Sequence, residues 1–368
     1  MWQSSGLFCF CLSGCAALEK LFSFVLALAL WHWRRMSNTS ISVPPEWAPH
    51  DAIWAGWPHI RGEWGEPFED ARAQITVFLK ELCKVTLVKV ACGSREAYGS
   101  AFAAFEPEIE AGDISLHTLP TGDIWLRDTG PIFARVSGAP NALTFKFNGW
   151  GGKYMMPGDT MTAGAVAGVE QVSARGQDFI LEGGAIDLDG AGRLLTTRQC
   201  VLNPNRNAHW DEVAAEAALK AAFGVSQVIW LGDGLANDHT DGHVDNIARF
   251  IGESRAVCQS FSGADDPNAD TLTAIEADLR AAGIEVVTIP SPGLILDEDG
   301  EAIPASHMNF LISNGHVFLP VYNDVYSQAA IAALGAALPD HVIVPVYARA
   351  ILSGGGSLHC MTQQVPAF

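Results

Sequence analysis

GHVDNIARFIGESRAVC, residues 242–258, decides how the rest of this chain is read. A polar, glycine-led turn carrying His243 and Asp245 runs into an apolar stretch. A short Gly-Glu-Ser turn then leads into a second apolar stretch, the pattern of a loop feeding a pair of strands. The same texture returns at WLRDTGPIFARV (125–136), LEGGAIDLDGAGRLLTT (181–197), SHMNFLISNGHVFLPV (306–321) and GGGSLHCMTQQVP (354–366). With Asp128, Glu182, His243, His307 and Cys360 as markers, the steps are about 54, 61, 64 and 53 residues. Spacings above the usual solenoid period still mark repeated supersecondary units around an axis. Five units, each a small sheet with a helix, would gather the marker residues around one central cavity.

Working outward, the intervening segments alternate in period. Strand patterns lie at 85–91, 143–148, 179–188, 227–231, 286–289, 310–321 and 342–347. Helical patterns lie at 68–83, 95–105, 160–170, 210–222, 268–282 and 326–336, with Asp211 and Asp324 placed as caps. No linker, low-complexity tract or charge block divides the chain after Trp47. The fold expected is α/β, a single domain over residues 36–368.

Composition narrows the function classes. The 368 residues are 49% hydrophobic and 17% charged, enough apolar material for a sizeable core and too much for disorder. Acidic residues outnumber basic ones 41 to 22, a net charge of −19. Such a surface repels phosphate backbones and anionic lipid, so neither nucleic acid nor membrane is expected as a partner. It is compatible with a cationic substrate, and it leaves homo-oligomerisation open.

Three of the eight cysteines, Cys9, Cys11 and Cys15, crowd the first fifteen residues. The others (Cys83, Cys92, Cys200, Cys258 and Cys360) are scattered, with no CxxC pair and no zinc-ligand spacing. That is the usage of a reducing, cytoplasmic setting. Residues 1–35 differ from the remainder. Their apolar run 21–33 is short of the roughly twenty residues that span a bilayer, and Arg34 and Arg35 follow it where a secretory signal has them first. We therefore take Met36 as the expected start and leave residues 1–35, an apolar leader, out of the fold.

Several residues carry chemistry. Cys360 follows Gly354-Gly355-Gly356, whose lack of side chains suits a sharp bend presenting a thiol to a cavity; a buried cysteine beside a structural turn is the alternative. His243 and Asp245, two apart, would share one face if extended, the recipe for general acid–base work. A structural histidine, or metal binding by His239 and His243, competes with that reading. Asp128 is either a turn residue or a carboxylate with Trp125 as an aromatic wall, which suits a planar cation. Glu182 is an acid embedded in an apolar run that needs a buried partner, with His243 a candidate. Two or three carboxylates around one thiol discourage thiolate formation unless the substrate brings positive charge. A guanidinium does so, being planar, permanently charged and matched by carboxylates in bidentate fashion.

At this point the chain resembles the agmatine deiminase / bacterial (Porphyromonas-type) peptidylarginine deiminase family, within the guanidino-group-modifying superfamily. The resemblance rests on WAGWPH (54–59), WLRDTGP (125–131), FNGWGGKY (147–154), LEGGAI (181–186), LNPNRN (202–207), TDGHVDN (240–246), ASHMNF (305–310) and GGGSLHCMTQQVP (354–366). It implies a five-bladed α/β-propeller and a hydrolase that converts agmatine to N-carbamoylputrescine and ammonia, with peptidyl-arginine or another guanidino compound as the alternative substrate. It further implies Cys360 as nucleophile and His243 as the proton carrier. Asp128 and Asp245 would hold the guanidinium, Glu182 would orient or charge His243, and Trp125 and Gly355 would line the substrate pocket. No metal or organic cofactor is implied. One position departs: His239 stands four residues before His243, where agmatine deiminases carry an acid, which leaves the choice of guanidino substrate open. The rival classes are a metal-dependent hydrolase built on His239 and His243, and a propeller serving only as a binding module.

Overall fold

The computed structural model describes residues 40–322 and 325–368. The leader, Met36 and the cap placed at Asp324 lie outside the described residues.

Seventeen strands form five separate sheets among the described residues. The strands β1 (Ile41–Ser42), β5 (Ile132–Val136), β6 (Ala139–Lys146) and β7 (Ser173–Ile180) make one sheet. Three more are β8 (Ile186–Leu188), β9 (Arg193–Thr197) and β10 (Gln227–Leu231); β11 (Ala248–Gly252), β12 (Arg255–Ser260) and β13 (Glu285–Pro290); and β14 (Leu311–Ser313), β15 (His316–Val321) and β16 (Val342–Tyr347). The last joins the two ends of the chain: β17 (Thr362–Pro366) pairs with β2 (His50–Gly56), followed by β3 (Leu87–Cys92) and β4 (Ile114–Thr118).

One connectivity repeats. In each sheet an antiparallel pair is followed by a parallel neighbour, as in β5/β6 then β6/β7, and β17/β2 then β2/β3. The parallel step needs a crossover, and a helix supplies it each time. These are α1 (Phe68–Leu82) before β3, α3 (Asp159–Val169) before β7, α4 (Glu212–Phe223) before β10, α5 (Ala269–Ala281) before β13 and α6 (Ser327–Ala337) before β16. An additional helix, α2 (Arg95–Ala111), leads from β3 to the fourth strand β4.

Local chemistry explains the hairpins. Ser137-Gly138 and Asn314-Gly315 are two-residue connections with positive φ at both positions (50° and 85°; 44° and 78°), the turn whose twist matches a hairpin. The helices bury one stripe. In α1, Phe68, Ala71, Ile75, Phe78, Leu79 and Leu82 recur at three- and four-residue spacing and pack with Val88 and Val90 of β3. Each of the larger side chains removed from water, Ala71 aside, contributes roughly 1.5–3 kcal/mol.

The expected helices and most long strands coincide with observed ones, and the differences have local causes. The helix expected to stop at 105 continues to Ala111 through a break at Phe105, just before Pro107. The 310–321 run is a hairpin rather than one strand. Residues 179–188 divide between the end of β7, a single 3-10 turn at Gly183–Ala185 and β8. Every first strand from β5 onward is preceded by a loop or a short helical turn, and those segments carry the marker residues. No helix among the described residues is long and apolar enough to cross a membrane.

Candidate active site

Cys360 lies in the turn between the short helix Arg349–Leu352 and β17, and it is 4% exposed. Its Sγ accepts a hydrogen bond from Asn309 Nδ2 at 2.9 Å and lies 3.6 Å from Asp245 Oδ2. Asn309 Oδ1 in turn accepts from the backbone N–H groups of His359 and Cys360, so one amide fixes the whole turn. The glycines before it are sterically required. A Cβ on Gly356 would sit 2.7 Å from the Trp125 ring and 3.1 Å from Cys360 Cβ, and Gly355 has φ +103°.

Asp128, His243 and Asp245 meet at Gly184. A Cβ there would stand 2.6 Å from His243 Nδ1, 2.9 Å from Asp128 Oδ1 and 3.0 Å from Asp245 Oδ2. The structure thus brings these three together, though not from strands. Asp128 sits in the helical turn Leu126–Thr129, and Asp245 in the 3-10 turn Val244–Asn246 for which His243 is the N-terminal flank. Alternation along a strand is therefore not what aligns His243 with Asp245; the turn does. Asp128 accepts from Gly184 N at 2.9 Å and from Trp150 Nε1 at 2.8 Å, and its Oδ1 is 3.8 Å from His243 Nδ1. Neither ring nitrogen of His243 has a hydrogen-bond partner among the described residues, and neither does Asp245 Oδ1.

Glu182 needs a correction. Its partner is Arg206, whose Nε donates to both carboxylate oxygens at 3.0 and 2.9 Å, and no hydrogen bond joins it to His243. Glu182, Cys200 and His243 do bring one oxygen, one sulfur and one nitrogen within 4.8 Å of each other, the donor types of a zinc site. The Arg206 guanidinium already claims the carboxylate, and its charge would face any cation placed there. His239, the other histidine of the metal reading, is exposed and outside that group; its carbonyl accepts from Lys153 Nζ at 2.8 Å.

A pocket of about 180 Å³ opens above Cys360 and Asp128. Its walls are Trp64, Trp125, Trp150 and Tyr154, with His239 and Gly355 also lining it and two further carboxylates, Glu63 and Asp123. Trp64 stacks on Trp125 with centroids 6.0 Å apart and donates to Asp123 Oδ1 at 3.2 Å. Trp150 has φ +53°, a left-handed conformation uncommon for an aromatic residue, between Gly149 and Gly151 at +70° and +82°. That strained turn aims its indole N–H at Asp128.

Burial pushes the Cys360 thiol well above its ordinary range, and Asp245 and Asp128 push it further. Burial opposes charge on His243, yet Asp128, Cys200 and Asp245 outweigh it and raise the imidazole to about 10. Burial likewise opposes the Asp245 carboxylate, but the His359 hydrogen bond and charge hold it below the usual range. Burial raises Asp128, with Asp245 and Glu182 adding to the effect. Burial and the carboxylates thus favour the protonated form of both Cys360 and His243, while His359 favours the charged form of Asp245.

A model of the Porphyromonas-type peptidyl-arginine deiminase family matches residues 42–366. The chain belongs to that family. The agmatine deiminases of Stutzerimonas stutzeri and Pseudomonas aeruginosa are 35% and 34% identical to it, each alignment covering 88% of this chain and 95% of the relative. The substrate-bound agmatine deiminase of C. jejuni matches with a TM-score of 0.83 at 29% identity, covering 89% of this chain and 97% of that one.

Within this family's frame, several groups at the site escape a reading of the sequence. Asn309 and Arg206 lie inside stretches that carry the resemblance, ASHMNF and LNPNRN, but nothing in their spacing assigns them a partner. His307, used as a marker, is not the residue that reaches the thiol; its Nδ1 lies 2.8 Å from Pro290 O, and Asn309 two residues on makes the contact. Glu46 and His359 are buried and joined at 2.8 Å, a pairing across the length of the chain that no local pattern announces.

Proposed function

We propose that the chain is a cysteine-dependent amidine hydrolase that converts agmatine to N-carbamoylputrescine and ammonia. The observation that carries this is the Cys360 thiol, 3.6 Å from Asp245 and facing Asp128, at the base of an aromatic-walled pocket in a chain of this family. Asp128 and Asp245 hold the guanidinium nitrogens and fix its carbon over the sulfur. The arriving cation offsets the two carboxylates that keep the thiol protonated, so Cys360 ionises with substrate in place and its proton passes to solvent. The thiolate forms a C–S bond to the guanidinium carbon. His243, charged at rest, gives its proton to the departing nitrogen, and ammonia leaves a thiouronium adduct. Neutral His243 then takes a proton from water and the hydroxide attacks the same carbon; as the O–H proton of this tetrahedral adduct passes to the departing sulfur, the C–S bond breaks and releases the ureido product and the Cys360 thiol. Glu182 acts at one remove, by holding Arg206, which also bonds Thr240 O in the segment leading to His243. No metal enters this sequence.

Agmatine is favoured over peptidyl-arginine by the pocket lining. Glu63 and Asp123 supply negative charge beyond Asp128, and four aromatic rings confine the intervening space. That suits a guanidinium joined by a short chain to an ammonium, with His239 beside it in place of the family's acid. We further place the five sheets as blades of one α/β-propeller, a single catalytic domain over residues 36–368. The repeated connectivity supports this, as does the position of Asp128, Glu182, Asp245, Asn309 and Cys360, each just before the first strand of a unit.

The test is ammonia release from agmatine, free arginine and an arginine-containing peptide, run beside a Cys360→Ser variant. Turnover of agmatine that vanishes with the thiol, yielding N-carbamoylputrescine, is the expected result. Turnover of the peptide alone would overturn the substrate, and no turnover of any guanidine would overturn the activity.

A further inference from the structure

His359 precedes Cys360 directly, and the turn that points the thiol into the pocket turns the imidazole the other way, into the protein. There it bridges two carboxylates. Its Nδ1 lies 2.8 Å from Asp245 Oδ2 and its Nε2 lies 2.8 Å from Glu46 Oε2, with all three side chains buried. An ionised carboxylate only accepts, so two such partners call for an N–H on each ring nitrogen. Glu46 is itself held from several directions. It accepts from Arg249 Nη2 at 2.6 Å and from Ile312 N at 2.8 Å, and Arg127 Nη2 stands 3.7 Å away. The ring therefore cannot rotate without breaking a buried charged contact.

We propose that His359 is a positioning residue, which through the chain Glu46–His359–Asp245 keeps Asp245 ionised and turned toward the guanidinium. The assignment rests on the reading that Asp245 receives the substrate. Asp245 Oδ2 is occupied by His359 and faces Cys360 Sγ, while Oδ1 has no partner among the described residues. The imidazole thus pins one oxygen and leaves the other for a substrate N–H. Metal-ligating and catalytic side chains are commonly oriented through a second hydrogen-bonded group in this way.

The charged and titratable groups facing this chain come from every neighbouring element. They are Glu46 from the segment before β2, and Arg127 from the turn Leu126–Thr129, whose Nε donates to His359 O at 3.4 Å. Arg249 of β11 bonds Glu46 and lies 3.4 Å from Asp187 of β8, and His50 of β2 faces Glu46. Around Asp245 stand Cys360, with Asp128 and His243 meeting it at Gly184. Of these, His359 makes the short contact to Asp245, at 2.8 Å, and the Cys360 thiol reaches the same oxygen at 3.6 Å.

The experiment measures agmatine binding by calorimetry from about pH 3 to 8, in a Cys360→Ser background that does not turn over. Three forms are compared: His359 intact, His359→Gln, which keeps an amide donor but no charge, and His359→Leu, which keeps neither. The expected result is a weakening at low pH that begins at least about one unit higher in the Leu form, with Gln between, as buried Asp245 takes up a proton. Affinity at the acid end then falls by roughly tenfold or more. Should neither variant melt cooperatively, Glu46→Gln, which frees the outer end of the ring, moves the same limb in the same direction by less. An unmoved acid limb in any folded variant overturns the positioning role. Failure of the His359-intact form to bind any guanidine would instead remove the reading on which it rests.

Discussion

At Gly184 the place of a single methyl group is already taken by an imidazole nitrogen and two carboxylate oxygens. No positive φ forces glycine there, so alanine is conformationally acceptable and its cost is the contact itself. Gly184→Ala is therefore expected to fold while losing at least about 100-fold in kcat/KM on agmatine, because a displacement near 1 Å at reacting groups costs that much. A melting curve and steady-state kinetics on the same preparation check both halves. Arg206 lies one layer deeper. Its guanidinium is almost fully buried against Glu182 and also reaches Asp241 at 2.8 Å. Arg206→Leu leaves Glu182 charged and unpaired, and about 3–5 kcal/mol of stability should vanish from a urea titration. Neither residue's importance was legible at its own position in the sequence. The glycine is one of 36, and the ion pair joins residues 24 apart by geometry alone.

At the scale of elements the sequence is far more transparent, for a physical reason. Helix α4 announces itself by its alanine-rich period and by Asp211, whose Oδ1 accepts from Ala214 N at 2.8 Å. Asp211→Ala should cost about 1 kcal/mol in denaturant unfolding and leave kcat/KM unchanged, since the cap lies outside the site. Strands such as β10 and β16 are read residue for residue, because runs of β-branched and apolar side chains bury where they are placed. The functional turns are where that legibility fails. Leu126–Thr129 and Val244–Asn246 are too short to have a period, and their conformations follow from the groups they bond, Cys360 O and Thr240 Oγ1 among them. Residue types at the site could thus be nominated from composition and motif, while the directions in which they point could not.

Across the whole molecule, sheets distant in sequence meet in buried seams, and one of these contains a histidine. His50 of β2 faces β14: its ring lies 3.2 Å from Ser313 Oγ, its backbone N–H donates to Asn314 Oδ1, and Nε2 has no partner among the described residues. Burial, aided by Arg127, lowers this imidazole to about 4, against the pull of Glu46. The folded protein therefore holds His50 neutral under conditions where the unfolded chain binds a proton. The contribution is complete above the unfolded value near 6.5 and is lost as pH falls toward 4. A gap of that size corresponds to ~3 kcal/mol. Urea midpoints at about pH 7.5 and 4.5 should consequently fall farther apart in the native chain than in His50→Gln, by roughly 2–3 kcal/mol of unfolding free energy. The half-buried His59 and His117 shift in the same direction, so the difference between the two proteins, rather than either slope, isolates the seam. Equal slopes would mean that the joint between the β2 and β14 sheets opens to water before the molecule unfolds. Acid would then loosen the seam next to Glu46, the carboxylate that also anchors His359, while leaving the sheets themselves intact.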